Sequence, residues 1–82
     1  MTTPIPRRLP NAMRIEITSR PEGSGWSAYA TAYDINDAGA PPVQPLPPVG
    51  ASSKELAESA AYRQFREWVN HLWPRRTVPD PV

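Results

Sequence analysis

No cysteine occurs in the chain, which excludes a disulfide framework and any thiolate metal site. A small secreted domain is usually cross-linked, so the absence points to a reducing compartment. Histidine occurs once, at His71. A lone imidazole without further ligands at metal-binding spacing reads as a surface residue. No apolar run approaches the roughly 18 residues of a membrane span. The twin arginines Arg7 and Arg8 are followed by Leu9-Pro10-Asn11, not by the apolar stretch of a signal peptide. The expected location is cytoplasmic, with no membrane partner. Excess charge of one sign is also missing: nine basic and eight acidic residues leave +1. A dedicated nucleic-acid binder carries a larger basic excess. Eight of the nine basic residues are arginine, Lys54 being the exception, a bias that GC-rich coding also produces. There is no Gly-rich phosphate loop and no Ser-His-Asp set. The expectation is a non-enzyme with no cofactor and no metal.

Proline, by contrast, is abundant, with twelve in 82 residues clustered in three places. Residues 1–12 hold three prolines and two arginines without periodicity, and residues 74–82, PRRTVPDPV, mirror them. Both ends read as disordered tails. The single domain is expected over 13–73, near the lower size limit for a core without cross-links.

Within it, Met13 to Ser19 alternates, with Met13, Ile15 and Ile17 on one face and Arg14, Glu16 and Thr18 on the other. RPEGSG, 20–25, is turn chemistry. Trp26 to Asp34 alternates again: Trp26, Ala28, Ala30 and Ala32 face one way, Ser27, Tyr29, Thr31 and Tyr33 the other. This predicts a β-hairpin with a six-residue connection. After a turn at Asn36-Asp37-Ala38-Gly39 comes PPVQPLPPVG. Proline lacks an N–H, so this run is an edge strand over about 43–49 or a polyproline segment anchored by Val43, Leu46 and Val49. A helix over about 53–73 follows, beginning at Ser52 or Ser53, with Ser52 and Glu55 as a capping box and Pro74 as its stop. Ala57, Ala61, Phe65, Trp68, Val69 and Leu72 share its apolar face. Ala57 and Ala61 are expected to meet the alanines of the second strand. Phe65, Trp68 and Leu72 then fill a wider end with Trp26, Met13, Ile15 and Ile17. The fold class is α+β: a hairpin or three-stranded meander covered on one face by a C-terminal helix.

GSGWSAYATAYD followed by GASSKELAESA resembles HicB-like domains, whose second strand begins with an aromatic after glycines and whose helix opens Gly-x-Ser/Thr-x-x-Glu. The resemblance covers about residues 13–72. It implies binding and neutralising a toxin partner. The compact Pro-x-Leu-Pro-Gly turn of that family is replaced here by a longer proline-rich run, and no DNA-binding segment is read in the chain. Ser53-Lys54-Glu55-Leu56-Ala57-Glu58 is also similar, at Ser53, Lys54 and Ala57, to the last helix of double-stranded-RNA-binding domains. Glu55 and Glu58 stand where that family places phosphate-binding lysines, and its first helix is missing.

The sheet face away from the helix is the first candidate surface. It presents Tyr29, Thr31 and Tyr33, with Arg14 and Glu16 on the neighbouring strand. The second is the outer face of the helix, around Arg63, Glu67 and Asn70. The expected function is a small non-enzymatic module that binds a protein partner and neutralises or regulates it, antitoxin-like or phage-inhibitor-like. One alternative is nucleic-acid binding through the open face and the arginines. Another is a self-associating structural module, with the homodimer as partner. PPVQPLPP holds two overlapping PxxP patterns but no flanking arginine, which favours a structural role.

Overall fold

The structure, a computed structural model, describes residues 9, 10 and 12–81. The chain order is β1 (Met13–Glu22), β2 (Gly25–Asp34), β3 (Val49–Ala51) and α1 (Lys54–Leu72). The strands form one sheet in the order β1-β2-β3, with both pairings antiparallel. Of the two expected forms, a hairpin or a three-stranded meander covered by a C-terminal helix, the structure has the meander. The expected tails at 1–8 and Val82, with Arg7 and Arg8, lie outside the described residues.

The hairpin is tighter than expected. Pairing runs through Pro21↔Trp26 to Glu22↔Gly25, leaving a two-residue turn at Gly23-Ser24 in place of the six-residue connection. Gly23 has φ +60° and, among the described residues, no non-glycine residue has positive φ, the pattern of a type II′ turn with glycine first. Pro21 stays in the strand because β1 is an edge of the three-stranded sheet, where a missing N–H is tolerated. Gly25 is required for another reason. A Cβ there would stand 2.5 Å from the Ala51 carbonyl oxygen, where β3 ends beside the start of β2.

The proline-rich edge is not one strand over 43–49. Val43 exchanges two backbone hydrogen bonds with Ala32, of 2.9 and 3.0 Å. Pairing then lapses until Val49 meets Ala28 and β3 begins. Ala28 to Ala32 is four steps along β2, whereas Val43 to Val49 is six, so the intervening segment bows away from the sheet. Val43, Leu46 and Val49 are half-buried while Pro41, Gln44 and Pro47 are exposed. That three-residue period is the one a polyproline geometry gives.

The helix begins one residue later than the capping box predicts. Ser53 is the N-cap, its hydroxyl accepting from the Leu56 N–H at 3.2 Å. Ser52 and Glu55 therefore do not form the reciprocal box, since Glu55 falls one place short of the third helical residue. The helix ends at Trp73, whose N–H donates to Val69 at 2.7 Å. Nineteen residues span about 28 Å.

The interface has two parts. Ala28, Ala57 and Ala61 form a small-residue cluster, with Trp26, Val49 and Ala51 packed around it. Leu9, Met13, Ile15, Ala30, Ala32, Phe65 and Val69 form the larger one, joined by half-buried Val43, Tyr62, Trp68, Trp73 and Val78. Trp26 thus belongs to the narrow end, not to the wide end expected for it. Trp68 and Leu72 are half-buried, so the fully buried stripe, Ala57-Ala61-Phe65-Val69, is a single i, i+4 row.

The ends also differ from the expected tails. Leu9 is among the most deeply buried side chains, at 2% exposure. Residues 74–81 run back over the domain. Val78 packs on the larger cluster, the Tyr62 hydroxyl donates to the Pro79 carbonyl at 2.8 Å, and Pro81 bridges Ile15 in parallel. Arg76 Nη1 reaches the Leu9 carbonyl at 3.5 Å. Single apolar residues spaced by prolines have no period to announce them, yet they fill the gap between the helix end and β1.

Candidate functional site

The register builds the open face in cross-strand pairs: Arg14 opposite Tyr33, Glu16 opposite Thr31, Thr18 opposite Tyr29. The Arg14 guanidinium carbon lies 4.7 Å from the Tyr33 ring centroid, a cation–π contact between direct cross-strand neighbours. Of the predicted residues, Arg14 is exposed, Tyr29, Tyr33 and Glu16 are half-buried, and Thr31 is buried at 8%. Thr31, expected on the open face, is thus not accessible, and the two tyrosines are only partly so. β2 is the central strand, so its small side chains lie in the trough between flanking strands and the tyrosines two residues away. The alanines between them are buried on the helix side, as their phase requires.

Beyond Tyr33 the face runs into a shallow hollow of about 340 Å³ lined by Arg14, Tyr33, Asp34, Ile35, Asp37, Ala38 and Ala40. Its rim is a hydrogen-bonded turn. The Asp34 carboxylate accepts from the Asn36 N–H at 2.9 Å, and the Asp37 carboxylate from the Gly39 N–H at 3.1 Å. These acids are occupied in turn formation, as residues of this type commonly are. Ile35 is 63% exposed and is one of the residues that line the hollow. Sequence reading missed it, because it follows the last alternating residue. Its signal was a β-branched apolar residue with no partner position in either strand.

Arg63, Glu67 and Asn70, the second candidate face, are all exposed on α1. His71 is exposed in the last helical turn. On the helix–β1 side, the Ser19 hydroxyl donates to Glu58 at 2.6 Å, and Glu58, Ser59, Tyr62, Ile17 and Pro81 line a small cleft. Burial, then the nearby Asp80 charge, push the Tyr62 hydroxyl above its ordinary pKa, with Arg66 opposing them. Among the described residues no group of three His, Cys, Asp or Glu could hold a metal ion, and no helix is long and apolar enough to cross a membrane.

No protein-family model, curated protein or solved structure matches the chain. The HicB-like and RNA-binding resemblances meet the structure only in their shared β-β-β-α order.

Proposed function

We propose that the chain is a small non-enzymatic binding module whose partner is a protein, docking on the open sheet face and neutralising or regulating what it binds, as HicB-like antitoxins or phage inhibitors do. One observation carries this reading. The face opposite the helix, bare of any other helix or strand among the described residues, aligns Tyr29, Tyr33 and Arg14 with exposed Ile35. Tyrosine, arginine and a large aliphatic residue are the anchors of protein interfaces, combining large contact area with polar edges. The near-zero net charge supports a protein over a polyanion.

Affinity capture with the tagged chain at low and high salt tests it. A protein retained at both, lost with Ile35→Asp and with the Tyr29→Ser/Tyr33→Ser pair, is the expected result. Ile35 is outside the core, so its replacement leaves circular dichroism unchanged. Nucleic-acid binding through the same face and the arginines is the second reading. Anisotropy with a single-stranded oligonucleotide separates the two, because that affinity would collapse as salt rises.

A further inference from the structure

The outer edge of β1 has one bridged partner among the described residues, Pro81, in parallel at Ile15. The segment carrying it leaves the helix through a turn closed by the Arg76 N–H on the Trp73 carbonyl, 2.9 Å. It anchors Val78 in the core and takes the Tyr62 hydroxyl on Pro79. Pro79 and Pro81 have no N–H to offer a further strand, so the segment ends the sheet instead of extending it. Proline on a sheet edge is a known defence against pairing with another chain. The opposite edge carries the same device in residues 41–48.

Beneath the guard lies a strand complementary to itself. Two copies of β1 paired antiparallel about Ile15 set Ile15 opposite Ile15, Met13 opposite Ile17, and Arg14 opposite Glu16 of the second copy. The helix-side face of that pairing is wholly apolar. The open face gains two opposite-charge pairs, which favour a register. Centring on Arg14 or on Glu16 instead sets like charges face to face. Pro81 bridges the residue on which the favoured two-fold axis falls. Guard and second copy therefore compete for one place.

We infer that residues 77–81 are a displaceable guard strand, and that a second copy of this chain, paired about Ile15, occupies the β1 edge when the guard lifts. The pairing joins two sheets into one of six strands, with both helices on the same side. It does not depend on what the open face binds.

The absence of cysteine makes the test clean. Arg14→Cys and Glu16→Cys full-length chains are mixed and oxidised with glutathione disulfide. Directly opposed antiparallel residues have Cα atoms about 4.5–5.5 Å apart, within disulfide range. The mixture is expected to cross-link several-fold more than either variant alone. Adding Val78→Asp, which removes the guard's apolar anchor, raises the yield further. Val78→Asp in the chain without cysteines doubles the sedimentation mass, and Arg14→Glu in that background restores the monomer. If Val78→Asp unfolds the domain, Tyr62→Phe replaces it, since it removes only the hydroxyl that clips Pro79. Equal yields in mixture and single variants overturn the register. A folded, guard-released chain that stays monomeric at every concentration overturns the guard.

Discussion

At its N-terminal end α1 rests on the sheet through Ala57 and Ala61 against Ala28, and farther along through Phe65 and Val69 against Ile15, Ala32 and Leu9. The helix is continuous and the sheet is the same, yet the two contacts are made differently. At the first end, methyl groups allow close backbone approach, and Trp26 and Val49 close the flanks. At the second, large side chains fill a gap that neither the helix nor the strands could close alone, with Leu9 and Val78 brought in from beyond both elements. One end is limited by how little it can accept, the other by how much it must supply.

The largest expected effect is at the wide end. Phe65 is 1% exposed, and Phe65→Ala should cost about 3–5 kcal/mol, a large share of the ~5–15 kcal/mol available to a native domain. Trp68, half-buried beside it with ring centroids 6.1 Å apart, should cost less than Phe65 when truncated. Urea unfolding of both variants checks the order; an equal loss would mean that Trp68 is as central as Phe65. At the narrow end the sign of the volume change reverses. Ala61→Leu adds bulk where Ala28 and Ala57 leave no room, and should cost about 1–3 kcal/mol. A neutral Ala61→Leu would erase the contrast between the ends. The smallest effect sharpens their boundary. Tyr62→Phe removes one hydrogen bond to Pro79, about 1 kcal/mol. Because the folded state raises the Tyr62 pKa, it holds the proton more tightly than the unfolded chain does. That stabilisation is complete below the ordinary tyrosine value of about 10 and falls as pH rises through the folded pKa. Wild type should lose stability above pH ~10 relative to the phenylalanine variant, as pH-dependent melting would report.

Most of this architecture was legible in the sequence because it is periodic. The alternations of MRIEITS and WSAYATAYD gave each strand's phase, and that phase put the alanines under the helix and the tyrosines on the far face. What escaped reading lacks a period. Leu9, Val78 and Ile35 are single apolar residues among prolines or turn residues, and only their distant partners give them a place. The tight hairpin turn is masked in the sequence because Pro21 looks like a strand breaker until β1 is known to lie on an edge. The cap moved from Ser52 to Ser53 because adjacent serines offer the same hydroxyl, and Glu55 favoured the wrong one. Phase locates the candidate face, but it does not say how far the side chains there reach solvent. Burial on a central strand depends on neighbours that a single strand's sequence does not name.

The indole pair at the helix end has a spectroscopic consequence. Trp68 and Trp73 meet edge-on, with centroids 5.6 Å apart and planes at 81°, and Trp73 is the last residue before the chain turns away from α1. Neighbouring indoles held in a fixed chiral arrangement share their electronic transitions and give a signed near-ultraviolet dichroism band. Rotation of Trp73 would alter the size or sign of that band while the helical signal persisted. Trp26, at the opposite end of the interface, would contribute an emission that such a rotation leaves alone. The chain thus carries an intrinsic optical gauge of whether the root of its C-terminal segment is seated.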